Sequence, residues 1–101
     1  MKFLFDIDDT ILFSKIDRKG NYSLKSSNEE LINKINSLFR KGHTIIIETG
    51  RHWNHFEITR KQLHDAGVCY DTLICGKPPC YIIDDKALRP NEFLKKDFNN
   101  E

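Results

Sequence analysis

Apolar and polar positions alternate between two rhythms along this chain, and each rhythm predicts its own element. Residues 2–7, Lys-Phe-Leu-Phe-Asp-Ile, form a short apolar run that meets a cluster of acids, as a buried strand ending in polar chemistry does. Thr44 to Glu48 is β-branched and apolar on consecutive positions, the pattern of a strand covered on both faces. Thr72–Cys75 and Tyr81–Asp84 read as two further short strands. Between them the period changes to that of a helix. Leu31, Ile35, Leu38 and Phe39 follow a Ser27-x-x-Glu30 capping box, and Arg40, Lys41 and Gly42 close the pattern, which predicts a helix over about 28–41. A second helix is expected over 53–66, with Trp53, Phe56 and Leu63 inward and Gly67 as its stop. Pro90 suits the first turn of a last short helix carrying Phe93 and Leu94. Residues 13–25 are polar and interrupted by Lys19-Gly20-Asn21, which predicts a small hairpin or flap.

The order strand–helix–strand–helix–strand argues an α/β fold with a mainly parallel sheet. The chain has 101 residues and no internal repeat or linker, so a single domain over 1–101 is expected. With 39% apolar and 11% aromatic residues it can bury a core, and disorder is excluded. Sixteen basic and fifteen acidic side chains leave a formal charge of +1, too balanced for the basic stripe of a nucleic-acid or anionic-membrane binder. No apolar run approaches the ~20 residues of a membrane span, and Asp6 interrupts what could have been a signal segment. A cytoplasmic domain is expected. Cys69, Cys75 and Cys80 lack Cys-x-x-Cys spacing and read as reduced, buried thiols.

In parallel sheets functional groups gather beyond the carboxyl ends of the strands. Asp6, Asp8, Asp9 and Thr10 follow the first predicted strand, and Glu48, Thr49, Gly50 and Arg51 the second. Lys77 follows the third, and Asp84 with Asp85 closes the fourth. Converging carboxylates repel one another unless a cation neutralises them, and an all-oxygen set favours Mg²⁺ over Ca²⁺. A cation beside the donors of Thr49, Gly50 and Lys77 is a site built for a phosphoryl group. Asp6 and Asp8, one residue apart on extended chain, project to the same side. Asp6 can attack phosphorus while Asp8 protonates the leaving oxygen and later deprotonates water.

Asp6-Ile7-Asp8-Asp9-Thr10, Thr49-Gly50-Arg51, Gly76-Lys77-Pro78 and Asp84-Asp85 resemble, in order, the four motifs of the haloacid dehalogenase (HAD) superfamily in its phosphatase branch. Tyr70-Asp71 ahead of Gly76-Lys77-Pro78, with the tail from Tyr81 to Phe93, is similar to small HAD proteins associated with capsular polysaccharide biosynthesis. The resemblance implies a three-layer Rossmann-like core with a mainly parallel sheet. The sequence departs from the usual family pattern in its gaps: a small flap after the first strand and one helix fill the first, a helix and a strand fill the second from Gly50 to Gly76, and no cap domain fits. It implies Asp6 as nucleophile, Asp8 as general acid/base, Thr10 orienting the loop, Thr49 on a phosphoryl oxygen, and Lys77 balancing charge. Mg²⁺ would be held by Asp6, the carbonyl of Asp8 and Asp84. Whether Asp84 or Asp85 is the direct ligand stays open, with Asp84, the first acid off the strand, preferred. Gly50 and Arg51 are carried as substrate-binding.

The implied activity is a Mg²⁺-dependent phosphomonoester hydrolase acting through an aspartyl-phosphate, on a small phosphorylated metabolite such as a sugar phosphate. Competing readings are a non-catalytic HAD-fold partner in a biosynthetic assembly, and a nucleic-acid end phosphatase, against which the +1 charge tells. Without a cap the site is open, and a dimer or tetramer whose neighbouring subunit covers it is expected. A second feature departs from the family pattern. Only Pro78, Pro79 and Cys80 separate Lys77 from the Tyr81 strand, where a parallel crossover needs a dozen or so residues. The role of Lys77 is therefore contested by Lys86. An EF-hand starting at Asp6 is excluded by Ile11 and Asp17 at its glycine and glutamate positions. His52 and His55 share a helical face but show no metal-ligand pattern.

Overall fold

In the computed structural model, which describes residues 1–98, five strands and three helices follow the predicted alternation. Strand β1 (Lys2–Phe5) leads to a hairpin of β2 (Leu12–Ile16) and β3 (Tyr22–Ser27). Helix α1 (Glu29–Arg40), β4 (Thr44–Glu48), α2 (Phe56–Asp65), β5 (Thr72–Ile74) and α3 (Pro90–Lys95) complete the order. The main sheet is parallel in the order β1-β4-β5, and β2 and β3 pair separately as an antiparallel flap. This is the α/β class with a Rossmann-like, mainly parallel sheet.

Register explains which positions are buried. Phe3 lies beside Ile45, Phe5 beside Ile47, and Ile47 beside Leu73, so these side chains share one face. On that face Ile45 and Ile47 are fully buried, in one cluster with Leu31, Ile35 and Leu38 of α1, Leu63 of α2 and Phe93 of α3. The Phe93 ring meets Phe3 and Phe5 at centroid distances of 6.1 and 5.1 Å in edge-to-face contacts. The opposite face carries Leu4 beside Ile46, and Leu4 is 51% exposed.

Helix α1 is capped by Asn28, whose side chain accepts the Leu31 N–H at 3.2 Å. The cap therefore falls one residue after the predicted Ser27, which is the last residue of β3. Glu29 and Glu30 occupy the first turn and Arg40 the last, each favourable to the helix dipole. Past the helix end Gly42 takes φ +93°, and the His43 N–H returns to the Leu38 carbonyl. The second helix starts later than predicted. Trp53–His55 form a 3₁₀ turn before α2, and Trp53 is 54% exposed rather than inward, its ring stacked on Phe56.

The fourth predicted strand is absent. Tyr81–Asp84 joins no strand among the described residues, with Tyr81 and Ile83 more than nine-tenths exposed. Strand β5 is at the far edge of the sheet from β1, and the short Pro78–Cys80 link cannot supply a crossover. Cys80 is correspondingly exposed, not buried, while Cys75 is buried and Cys69 half-buried. Among the described residues no helix is long and apolar enough to cross a membrane.

Candidate active site

Beyond the end of β1 the chain folds into a turn built on one carbonyl. The Ile7 oxygen accepts the N–H groups of Thr10, Ile11 and Leu12, while the Asp9 N–H returns to the Leu12 carbonyl. The turn requires Asp9 at φ +63°, a left-handed conformation that Asp tolerates better than most residues. Ile7 and Ile11 anchor it from within the core, both fully buried. Asp6 and Asp8 thereby stay at the surface of the sheet's carboxyl end, each half-buried.

The end of β4 meets the segment after β5 through a second set of backbone bonds. Thr49 N–H donates to the Ile74 carbonyl (2.9 Å), Lys77 N–H to the Thr49 carbonyl (2.9 Å), and Gly76 N–H to the Arg51 carbonyl (2.7 Å). Gly76 sits at φ +81°, and a Cβ there would lie 2.9 Å from Nε1 of Trp53. Glycine is demanded on both grounds. These bonds hold Lys77 so that its Nζ lies 3.5 Å from Oδ1 of Asp6, with only 16% of the lysine side chain exposed. Of the two competing lysines, Lys77 is the one beside Asp6. Lys86 lies in the exposed turn after Asp84.

Arg51 takes a position that the sequence reading did not foresee. It is carried there as substrate-binding, but its side chain is fully buried and grips Asp8. Nη2 reaches Oδ1 at 2.8 Å and Nε reaches Oδ2 at 3.0 Å, a bidentate pair. The remaining donors go to Gln62 Oε1 (2.8 Å), Thr59 Oγ1 (3.2 Å) and Ser14 Oγ (3.1 Å). The Tyr22 ring covers the guanidinium at 4.0 Å, a cation–π contact, and the Tyr22 carbonyl accepts from Gln62 Nε2. The flap is thus pinned to the site through Arg51. Ser14, Tyr22, Thr59 and Gln62 carry no motif, and only the spacing of Thr59 and Gln62 on one helical face hinted at a common partner.

Thr49 is almost fully buried, and its Oγ1 accepts the Arg51 N–H at 3.2 Å. Gly50 lies against the Lys77 carbonyl, 3.4 Å from where a Cβ would sit. Burial pushes the neighbouring Cys75 thiol above its ordinary range.

Asp84 and Asp85 are not brought to this group. Both are exposed, and Asp84 turns back on its own loop, its Oδ1 accepting the Lys86 N–H at 2.9 Å. That bond, more than any other contact, holds the Asp84 carboxyl below its ordinary range. Among the described residues no three His, Cys, Asp or Glu side chains approach closely enough to hold a metal ion. The expected convergence of Asp6, Asp8, Asp84 and Asp85 on one Mg²⁺ therefore does not occur within a single chain.

The fold and the four ordered motifs define an HAD-type hydrolase core. Residues 3–93 match the family model described as haloacid dehalogenase-like hydrolase, and the chain belongs to that family. It is similar to a crystal structure of a structural-genomics target from Vibrio cholerae, with a TM-score of 0.77 and 25% identity. The match covers 98% of this chain and 91% of that one. Among curated proteins none matches.

Proposed function

We propose that the protein is a Mg²⁺-dependent phosphomonoester hydrolase that works through an aspartyl-phosphate on Asp6, with a small phosphorylated metabolite as substrate. The observation that carries this reading is the approach of Lys77 Nζ to within 3.5 Å of Asp6 at the carboxyl end of the parallel sheet. An ammonium in that place balances the charge of the carboxylate and of an incoming phosphoryl group.

In this reading an Asp6 oxygen attacks phosphorus and the bond to the leaving oxygen breaks, that oxygen taking a proton from Asp8. Water then attacks the phosphorus of the aspartyl-phosphate. Asp8 takes the water's proton, the acyl–phosphate bond breaks, and inorganic phosphate leaves with Asp6 restored. Arg51 acts through Asp8, bonding both of its carboxylate oxygens and keeping it in place through both steps, which makes it a positioning residue. When bound, Mg²⁺ would neutralise part of the charge gathered here. One chain offers Asp6 for it but does not bring Asp84.

Asp6→Asn is expected to reduce hydrolysis of an aryl phosphate at least about a thousandfold, as loss of a nucleophile does, with the folded state preserved. Wild-type turnover by the variant would remove Asp6 from this role. Chelation of divalent ions is expected to silence the wild type. No turnover on any member of a panel of phosphorylated sugars, nucleotides and oligonucleotides would favour the second reading, a non-catalytic partner domain, which the incomplete carboxylate set supports.

A further inference from the structure

We infer that two copies of this chain exchange the segment Tyr81–Asp84, each laying it as a parallel strand along the free edge of its partner's β1. The strand exchange stands by itself. Its consequence for catalysis, delivery of Asp84 to the Asp6 site, rests on the hydrolase reading above.

Two exposed features fit each other. Tyr81, Ile82 and Ile83 are 94, 59 and 91% exposed, an apolar, strand-prone run that pairs with no strand among the described residues. Strand β1 is the outermost strand of the parallel sheet, and among the described residues no backbone hydrogen bond reaches its outer edge. An uncovered edge of this kind is a template for a strand from another chain. Placing Asp84 beside Asp6 puts Ile82 beside Leu4, Ile83 beside Phe5 and Tyr81 beside Phe3. Ile82 then covers the exposed Leu4, while Tyr81 and Ile83 extend the buried face.

The chain cannot make this pairing with itself. Lys77 is tied to the Thr49 carbonyl just past β4. A strand outside β1 lies at least two strand spacings from there, about 10 Å, and its start beside Phe3 lies about 10 Å below the level of Asp6. The straight path is about 14 Å, and the four residue steps from Lys77 to Tyr81 span about 13–14 Å fully extended. Nothing remains for the reversal of direction that a parallel strand requires. An antiparallel return would fit, but it would carry Asp84 towards Lys2 and away from Asp6. In a two-fold dimer both copies make the parallel addition reciprocally, and each Asp6 site gains the partner's carboxylate.

The test places one cysteine on each edge in a Cys80→Ser background, Leu4→Cys in one preparation and Ile82→Cys in another. Mild oxidation of the mixture is expected to give a covalent dimer of the two variants, and sedimentation of the wild type is expected to give a dimer that Ile82→Lys converts to monomer. A wild type that is monomeric at every concentration overturns the exchange. So does a Leu4→Cys/Ile82→Cys double variant that cross-links only within one chain. Catalysis is read separately by co-expressing Asp6→Asn with Asp84→Asn, each inactive alone. Random pairing leaves one intact site in half of the dimers, so about one quarter of the wild-type rate should return. Activity in the wild type without recovery in the mixture defeats the delivery of Asp84 in trans. No activity in the wild type defeats the hydrolase reading, while the cross-link still decides the exchange.

Discussion

Arg51 holds Asp8 by two parallel hydrogen bonds of 2.8 and 3.0 Å across 43 residues of sequence. The pair joins the turn after β1 to the segment after β4, and through Thr59 and Gln62 to α2. A planar, five-donor fork is the side chain able to bond Asp8, Gln62, Thr59 and Ser14 together. The orientation of Asp8 is thus set by Arg51 together with residues of β2 and α2.

Replacing this arginine should cost both stability and rate. Arg51→Met is expected to destabilise by about 2–4 kcal/mol, towards the low end for a broken buried pair because Asp8 keeps 36% of its side chain exposed. Arg51→Lys should recover only part of this, since an ammonium cannot reproduce the bidentate geometry. Denaturant midpoints measure the first effect. A fall in kcat with little change in KM would mark the loss of a positioned acid. Equal stability of all three proteins would contradict the geometry.

Lys77 and Lys86 should separate cleanly. Lys77→Met removes the ammonium 3.5 Å from Asp6 and is expected to lower kcat roughly a hundredfold. Lys86→Met should leave kcat within about twofold, its side chain lying in an exposed turn. Steady-state kinetics on one phosphate ester decides between them, and the reverse ranking would transfer the role to Lys86.

Gly76→Ala should destabilise by about 1–3 kcal/mol, combining a φ of +81° with a Cβ 2.9 Å from Trp53. Adding Trp53→Ala relieves the contact but not the backbone strain, so the double variant should regain only part of the loss. Gly50→Ala, whose Cβ would lie 3.4 Å from the Lys77 carbonyl, should cost less. Thermal melts of the four proteins test the order.

The flap should loosen in acid. Asp17 Oδ1 accepts the N–H groups of Asn21 and Lys19, each at 2.9 Å, and the Asn21 bond above all holds its carboxyl below the ordinary value of 3.8. A depressed carboxyl contributes stability that is present above 3.8 and is lost as pH falls through the lower folded value. Protection of the Lys19 and Asn21 amides, taken relative to their intrinsic exchange rates, should therefore fall below that pH, and Asp17→Ala should remove the dependence. An exchange profile that is the same with and without Asp17 would refute the assignment.

The helices and the three strands of the main sheet were legible in the sequence because their signals are local. The period of Leu31, Ile35 and Leu38 and the β-branched run Thr44–Glu48 specify their elements whatever lies around them. The motif order placed Asp6, Thr49 and Lys77 at strand ends for the same reason. Trp53 was misjudged because an aromatic at helical spacing reads as core, while here it begins a 3₁₀ turn that lies outside the packed face.

The strand predicted at Tyr81–Asp84 marks the boundary of such reasoning. Its residues have the composition of a strand, but a strand needs a neighbour, and whether one is in reach depends on where β5 lies relative to β1. The ordered motifs that carry Asp6, Asp8, Thr49 and Lys77 are read from the sequence alone. That Arg51 serves Asp8, that Tyr22 covers Arg51, and that Asp84 stands apart from Asp6 were decided only by tertiary structure. Hydrogen bonds and ion pairs act over a few ångströms, and only the folded path of the chain determines which distant residues come within that range.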